Sequence, residues 1–362
     1  MKKYRKILLN PGPANTTSSV KNAQIVDDIC PRVNEFGELL IKIRSDLTKI
    51  VANTNDYSTI ILGASGTASV ESVISSIFDK DHRLIIVNNG SYGTRISEIA
   101  STYGIKYFEF KSDFFKEIDI YKLEDFIKKN SATHIAIVHN ETSTGLLNNL
   151  DRIKPLIKRY KLISIVDAMS SFAAIPIDMK KQRINYLCCS SNKNLQGMAG
   201  ISFVIAKKQS LEEIRNIYSK SYYLDLYSQY KYLEENNQTR FTPPVQSIYA
   251  LDQALDELKA ETIESRYARY KKIWALIKNE MNKLNFETFF EDIYQSKIIT
   301  LYSLSENIEF NELHDYLYKY GITIYPSKFD INSFRIANIG DLKEEDINFF
   351  IEKLRDFINE NQ

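Results

Sequence analysis

Short runs of consecutive apolar residues recur through the N-terminal part of the chain, and the segments between them repeat apolar residues at helical spacing. Continuous apolar runs are typical of strands that are buried on both faces of a parallel sheet. Seven such strands are predicted, at residues 58–62, 83–87, 106–110, 134–138, 163–166, 186–189 and 201–206. The pattern therefore predicts an α/β large domain whose mainly parallel, seven-stranded sheet is covered by helices on both faces.

A second, smaller unit is predicted in the C-terminal part of the chain. A long helical stretch over residues 244–284 precedes three further predicted strands, at 298–302, 322–325 and 333–336. The last helix carries one apolar stripe, which we expect to pack on the smaller sheet, formed by Ile347, Phe350, Ile351, Leu354 and Phe357. The predicted organisation is an N-terminal arm (1–15), a large domain (16–255) and a small α+β domain (256–362).

The composition narrows the range of functions. The chain has 362 residues, 44% hydrophobic content and a mean hydropathy of −0.30, as expected for a globular protein with a substantial core. Its 47 basic and 46 acidic residues nearly balance, and no basic run is interleaved with aromatic residues. Small-molecule chemistry is therefore favoured over binding to nucleic acid or to a membrane.

The cysteines and histidines suggest neither a disulfide framework nor a metal site. Cys188 and Cys189 are neighbours inside one apolar run, and the four histidines lack metal-ligand spacing. The apolar run near the N-terminus is too short for the core of a signal peptide, and no segment reaches membrane-spanning length. A reducing, cytoplasmic location is expected.

Two of the predicted strands end in side chains with distinct chemistry. The run 163–166 ends at Asp167, and the run 186–189 leads through small polar residues to Lys193. A lysine and a buried acid at one sheet edge suit pyridoxal phosphate, because the lysine forms a Schiff base and the acid keeps the ring nitrogen protonated. The alternative is that both are ordinary solvated strand ends.

The segment Gly63-Ala64-Ser65-Gly66-Thr67 lies between a predicted strand and a predicted helix. Its backbone N–H groups, the hydroxyls of Ser65 and Thr67, and the helix dipole can hold a phosphate. The segment departs from the dinucleotide fingerprint, because Ser69 stands where a third glycine is expected. A small-residue turn that packs closely on the sheet is the alternative.

Two further strand ends complete the pattern. Residues 89–93 place Tyr92 on a predicted flexible elbow, where its ring can stack on a flat cofactor or be incidental to a turn. Residues 139–145 offer hydroxyls that can donate to the cofactor's phenolic oxygen, or form a capping motif for the helix beyond. The joint occurrence of the possible phosphate-binding segment 63–67, the Tyr92 ring, Asp167 and Lys193 favours a site for pyridoxal phosphate.

The order of these segments resembles the class V aminotransferases of pyridoxal-phosphate fold type I, essentially from end to end. Within that class the chain is most similar to the enzymes that act on 2-aminoethylphosphonate and pyruvate. The motifs that carry this resemblance are Asp28-Ile29-Cys30-Pro31-Arg32, Val166-Asp167-Ala168-Met169-Ser170-Ser171-Phe172, Ser191-Asn192-Lys193 with Gln196-Gly197, Arg240-Phe241-Thr242-Pro243-Pro244, Ile324-Tyr325-Pro326 and Phe334-Arg335-Ile336.

The resemblance implies a transaminase that converts 2-aminoethylphosphonate and pyruvate to phosphonoacetaldehyde and alanine. It implies that Lys193 forms the Schiff base and moves the proton, that Asp167 pairs with the ring nitrogen, and that Tyr92 stacks on the ring. The remaining implied contacts are the phosphate with Ser65, Gly66 and Thr67, the ring hydroxyl with Thr142, and the cofactor with Asn192. Thr242 is implied to reach the phosphate of a neighbouring subunit, so a homodimer is expected.

Arg335 is implied to bind the acidic group of the substrate. A planar guanidinium can hold either a carboxylate or a phosphonate through paired hydrogen bonds, which suits an enzyme that accepts two different acids. A surface salt bridge is the alternative, but Arg335 stands inside an apolar run. The role of Arg32 stays open between extra positive charge at the pocket mouth and a structural ion pair.

Four competing functions would use, or would lack, parts of the same set of residues. An alanine– or serine–glyoxylate aminotransferase would share Lys193, Asp167 and Arg335 but use only carboxylate substrates. A cysteine desulfurase is disfavoured by the positions of the cysteines, and a nicotinamide-dependent dehydrogenase by the missing third glycine. A catalytically silent relative would lack the lysine or the acid, and both Lys193 and Asp167 are present here.

Overall fold

The computed structural model describes residues 5–329 and 331–360. Its large sheet has seven strands, β1 to β7 in chain order: Tyr57–Leu62, Leu84–Asn88, Tyr107–Lys111, His134–Val138, Ile163–Asp167, Tyr186–Ser190 and Ser202–Lys207. They lie in the order β1-β7-β6-β5-β4-β2-β3, and only β7 runs antiparallel to its neighbours. Each of the seven strands predicted for the large domain is therefore confirmed to within one residue at either end.

The apolar runs are continuous because helices cover both faces of this sheet. In β2, Ile85 and Val87 belong to the core on one face, while Leu84 and Ile86 belong to the core on the other face. All five residues of β2 are buried, so both of its sets of alternating residues are apolar until the strand ends at Asn88. The helices of the described residues are Ser18–Asn22, Asn34–Lys49, Gly66–Ser76, Ser91–Thr102, Ile120–Asn130, Leu150–Tyr160, Met179–Gln182, Lys208–Glu213, Leu226–Asn236, Val245–Glu261, Ile263–Lys283, Phe310–Lys319 and Glu344–Glu360.

A smaller antiparallel sheet follows, with strands β8 (Ile299–Ser303), β9 (Tyr325–Pro326) and β10 (Ser333–Ala337) in the order β8-β10-β9. The predicted stripe of the last helix is confirmed, since all five residues are buried in one core cluster beside this sheet. Two short strands, Asn140–Glu141 and Leu146–Leu147, form a hairpin that follows the carboxyl end of β4.

Two predicted elements are corrected. The strand predicted at 322–325 is divided, because Ile322–Thr323 pairs with Ile7–Leu8 whereas Tyr325–Pro326 pairs with β10. The long helix predicted at 244–284 breaks at Thr262, which has φ +68° and whose hydroxyl accepts from the Ser265 N–H at 3.3 Å. This side-chain cap begins a new helix.

The predicted domain boundaries stay predictions. The boundary between residues 255 and 256 falls inside the helix Val245–Glu261. Residues 1–4 of the predicted N-terminal arm, and residues 361 and 362 of the predicted small domain, lie outside the described residues. In the part of the chain that the structure describes, no helix is both long and apolar enough to cross a membrane.

Two buried histidines make stability depend on pH. Burial lowers the pKa of His134 to about 3, with a contribution from the nearby His82, and burial lowers the pKa of His139 to about 4. In the unfolded chain both titrate near about 6.5, so in acid the unfolded state binds protons that the folded state does not. We expect these two groups to lower the free energy of unfolding by about 2.5 kcal/mol per pH unit as the pH falls from about 6 to about 5.

Denaturant unfolding at several pH values measures this slope, and His134→Leu provides the comparison. The variant should lose about half of the contribution, because one of the two histidines no longer titrates. An unchanged slope in the variant would contradict the prediction.

Candidate active site

One cavity of about 130 Å³ lies at the carboxyl edge of the large sheet, where the parallel strands end. This is the edge at which open α/β sheets bind ligands. Six residues predicted from the sequence line it: Gly66, Thr67, Tyr92, Asp167, Asn192 and Lys193. The other lining residues are Val70, Arg95, Ile96, Met169 and Ser190.

Lys193 lies in the loop after β6, and its Nζ is 5.6 Å from the centroid of the Tyr92 ring. Its aliphatic stem lies against Gly12, which has φ +123°. A Cβ at Gly12 would come within 2.9 Å of the Lys193 Cγ, so both the backbone conformation and the close approach favour glycine. The N-terminal segment therefore covers the lysine stem while the amine faces the cavity.

Asp167 ends β5 and is only 7% exposed. Its Oδ1 accepts from the Met169 N–H at 2.9 Å. Burial raises the pKa of the Asp167 carboxyl, although the Met169 N–H and the positive charges of Lys193 and Arg95 act in the opposite direction. A cationic ring nitrogen beside Asp167 would stabilise its carboxylate form further.

Tyr92 lies in the first turn of the helix Ser91–Thr102, so the predicted flexible elbow is wrong. The Arg95 guanidinium lies 4.7 Å from the centroid of the Tyr92 ring, an attractive cation–π contact. Burial would raise the pKa of the Tyr92 hydroxyl, but Lys193, a hydrogen bond from Thr142, Arg335 and Arg95 together lower it.

The segment predicted to bind phosphate, residues 63–67, leads into the helix Gly66–Ser76 at the cavity. Ser65 is the exposed N-cap residue, and its side chain forms no capping hydrogen bond. A Cβ at Gly66 would come within 2.7 Å of the Met169 Sδ, so this turn also packs closely on its neighbours. The two interpretations of this segment are compatible, because a close-packed turn still presents a helix N-terminus to an anion.

Arg335 lies on β10 and is 2% exposed, so the alternative of a surface salt bridge is wrong. Its Nε donates to the Pro326 carbonyl at 2.9 Å, and its Nη1 donates to the Thr142 carbonyl at 3.2 Å. One guanidinium therefore joins the smaller sheet to the loop that carries Thr142. Arg335 is also close enough to hydrogen-bond the Tyr92 hydroxyl.

The loop that carries Thr142 does cap a helix, but not the one expected. The helix beyond it, Leu150–Tyr160, is capped by the side chain of Asn149. The loop instead contacts the start of the helix Ser91–Thr102, where Ser143 Oγ accepts from the Ser91 N–H at 3.2 Å. Thr142 itself is 1% exposed.

Thr242 is exposed and does not line the cavity of its own chain. It lies on a loop that Arg32 holds, since the Arg32 guanidinium donates to the Thr239 carbonyl at 2.5 Å and to the Arg240 carbonyl at 3.4 Å. These contacts give Arg32 a third role that the sequence did not suggest, which is to bind backbone carbonyls of the loop before Thr242.

Sequence reasoning missed Arg95 and Glu141. Arg95 lies three residues after Tyr92 on one helix, so helical spacing could have placed both side chains on one face. Its Nη1 is 3.5 Å from Thr67 Oγ1, which places a guanidinium beside the segment predicted to bind phosphate. Glu141 lies inside a segment already singled out, but nothing in its immediate sequence marks its carboxyl as buried.

The seven-stranded sheet, with Lys193 and the buried Asp167 at its carboxyl edge, matches the architecture expected of fold type I. The chain matches the family "Aminotransferase class-V" over residues 16–325, and it belongs to that family. The predicted family, fold class and transaminase activity are confirmed. Among solved structures, the alanine–glyoxylate aminotransferase from Nostoc sp. has a TM-score of 0.93 at 21% identity, covering 99% of this chain and 96% of that chain.

Two curated relatives are similar over nearly all of this chain. A 2-aminoethylphosphonate–pyruvate transaminase from Bacillus cytotoxicus is 37% identical, covering 97% of this chain and 98% of the relative. A bifunctional phosphonoacetaldehyde hydrolase/aminoethylphosphonate transaminase from Clostridioides difficile is 39% identical over 98% of this chain. The chain spans 56% of that bifunctional relative's length.

Proposed function

We propose that the protein transfers the amino group of 2-aminoethylphosphonate to pyruvate, forming phosphonoacetaldehyde and L-alanine in a reversible ping-pong reaction. The observation that carries the proposal is the 37% identity, over 97% of the chain, to a relative named for this reaction. The geometry around Lys193, Asp167 and Arg335 supports the same chemistry.

The cavity fits pyridoxal phosphate in three respects. It contains a lysine, a buried carboxyl and the start of a helix whose N-cap side chain leaves the first turn uncapped. When bound, this cofactor supplies an aldehyde that takes up the amino group and a ring that accepts electrons. The residues that would hold its phosphate are Ser65, Gly66 and Thr67, together with Arg95, which the sequence did not suggest.

Lys193 and Asp167 carry the chemical step in this proposal. The Nζ of Lys193 would hold the cofactor and would accept a proton from the amino-bearing carbon of the substrate. The Asp167 carboxylate would keep the ring nitrogen protonated and so favour electron withdrawal from that carbon. Both residues line the same cavity.

Tyr92, Thr142 and Asn192 orient the ring. Tyr92 would stack on it, Thr142 would donate to its hydroxyl group, and Asn192 would lie beside it. Burial opposes the lowering of the pKa of Tyr92, which comes in part from the positive charges of Lys193, Arg335 and Arg95, and the same charges would attract the anionic groups of the cofactor and the substrates.

Arg335 binds the acidic group of either substrate. Its Nε and Nη1 are already bonded to the Pro326 and Thr142 carbonyls, and these bonds hold the plane of the guanidinium in one orientation. A fixed guanidinium loses little conformational freedom when it binds a carboxylate or a phosphonate.

A cytoplasmic homodimer is the expected state. Thr242 is exposed in the single chain, which is required of a residue that contacts the phosphate bound to a second subunit. The three cysteines are free thiols, in agreement with a reducing compartment.

The proposal is tested by mixing the purified, cofactor-loaded protein with 2-aminoethylphosphonate alone and following the visible absorbance of the cofactor. The expected result is loss of the visible band, which pyruvate then restores. If only alanine or serine bleaches the band, the alternative of a glyoxylate aminotransferase replaces this proposal. If the protein takes up no cofactor, the assignment of Lys193 is wrong.

Replacing Arg335 with lysine should raise the KM for 2-aminoethylphosphonate and for pyruvate by roughly tenfold or more. An ammonium on a flexible stem cannot both hold the Pro326 and Thr142 carbonyls and form paired bonds to an acid. Steady-state kinetics for both substrates measures the effect. Arg159→Lys, on an exposed ion pair with Glu124, is the control, and an unchanged KM in R335K would contradict the role.

A further inference from the structure

The proposed reaction does not use Glu141, whose side chain is fully buried beside the site. Its Oε1 accepts from the Ser143 N–H at 3.0 Å and from the Ser143 hydroxyl at 2.6 Å. Its Oε2 accepts from the Tyr92 N–H at 3.2 Å. Burial raises the pKa of this carboxyl, although those three donors oppose the shift.

These contacts supply a cap that the helix Ser91–Thr102 lacks. Its N-cap residue is Gly90, which has no side chain to accept from the first turn. Ser143 Oγ accepts from the Ser91 N–H, and Glu141 accepts from the Tyr92 N–H, so a distant loop satisfies two of the open donors. A carboxylate is also favoured at the positive end of the helix dipole.

The same loop carries two other groups of the site. Thr142 stands between Glu141 and Ser143, its hydroxyl lies within hydrogen-bonding reach of the Tyr92 hydroxyl, and its carbonyl accepts from Arg335. The bonds of Glu141 therefore join the backbone of the stacking ring to the loop that holds Arg335.

We infer that Glu141 is a positioning residue that fixes Tyr92, Thr142 and Arg335 relative to one another. This inference rests on the proposed function, since it concerns how the cofactor ring and the substrate acid are held. Glu141 touches neither of them and acts only through these three residues.

The geometry distinguishes a carboxylate from an amide at this position. Both Glu141 oxygens accept from backbone N–H groups, one from Ser143 and one from Tyr92. In Glu141→Gln one of those N–H groups must face an amide NH₂, which cannot accept. Because Ser143 offers two donors to one oxygen, we expect the amide to turn its NH₂ toward Tyr92 and release that residue.

Gly90 offers an independent way to displace the carboxyl. A Cβ at Gly90 would lie 2.3 Å from the Glu141 Cδ and Cγ. Gly90→Ala should therefore reproduce the effect of Glu141→Gln. In the double variant Gly90→Ala/Glu141→Ala the shorter side chain removes the overlap, so the two changes should be markedly non-additive.

The experiment measures the binding of pyridoxal phosphate to the apoprotein, together with the visible circular dichroism of the bound cofactor. For E141Q we expect the dissociation constant to rise about tenfold, in keeping with the loss of one charge-assisted hydrogen bond, and the dichroic band to weaken. Ser143→Ala is the second variant, in case E141Q folds poorly. It leaves the buried Glu141 carboxyl in place, and we expect a smaller rise in the dissociation constant.

Glu109→Gln is the matched control. Glu109 accepts from Ser97 on the same helix at 3.1 Å, but it does not line the cavity. Equal cofactor affinity in E109Q and the wild type, with the loss confined to E141Q and S143A, supports the inference. The inference is overturned if E141Q and S143A bind cofactor with wild-type affinity and dichroism. It is also overturned if E109Q loses as much cofactor affinity as E141Q.

The proposed function can fail separately. If the wild type binds pyridoxal phosphate but is not bleached by 2-aminoethylphosphonate, the substrate proposal fails while the binding data still decide the role of Glu141. If the wild type binds no cofactor, both are overturned.

Discussion

Replacing Lys193 with alanine should abolish the visible absorbance of the bound cofactor and lower turnover by about 10⁴-fold or more. The variant loses both the nucleophile that binds the cofactor and the base that moves the substrate proton, and proton transfer by a positioned group alone is worth roughly 10²–10⁴-fold. Absorbance after addition of pyridoxal phosphate and coupled detection of alanine measure the two effects.

Lys207→Ala is the control for this variant. Lys207 is also a strand-end lysine, but it ends β7, the antiparallel strand, and so lies at the opposite edge of the sheet. It should leave absorbance and turnover unchanged. Full turnover in K193A would refute the proposed mechanism.

Replacing Asp167 with asparagine should lower turnover on the order of a thousandfold while the protein stays folded. The amide is nearly isosteric and its oxygen can still accept from the Met169 N–H at 2.9 Å. It carries no charge, however, and cannot keep a proton on the ring nitrogen. A thousandfold loss corresponds to about 4 kcal/mol of transition-state stabilisation, since each 1.36 kcal/mol is a factor of ten in rate.

Initial rates and the cofactor spectrum of D167N measure the effect. Asp56→Asn is a suitable comparison, since Asp56 lies just before β1 at the opposite edge of the sheet, where its carboxylate accepts from the Asn53 side chain at 3.1 Å and lies 3.8 Å from the Lys180 Nζ. Near wild-type turnover in D167N would show that the carboxylate is not needed for the ring.

The predicted strands agree with the structure because burial on both faces of a parallel sheet leaves a local signature. Each run can be read from its own residues, as in 134–138, where every position is buried. The strand predicted at 322–325 was wrong for the opposite reason. Its division depends on partners, Ile7–Leu8 for one half and β10 for the other, that its own residues do not reveal.

The same distinction applies to the site. Asp167 and Lys193 were predicted because Asp167 directly follows one apolar run and Lys193 lies four residues after another, and the carboxyl ends of parallel strands meet at one edge. Arg95 was missed because its contacts, with the Tyr92 ring and the Thr67 hydroxyl, depend on how one side chain is directed. Thr242, by contrast, was named from resemblance alone, and its proposed partner lies on another subunit.

The sequence by itself determined the class of fold, the strand ends that carry chemistry, and the types of residue offered there. These follow from short-range hydrophobic patterning, which each segment carries alone. Only the tertiary structure decided that Arg335 is buried with two carbonyl partners, and that Glu141 caps a helix that begins 50 residues earlier in the chain. Such contacts join segments far apart in sequence, and the free energy that selects them comes from packing the whole chain.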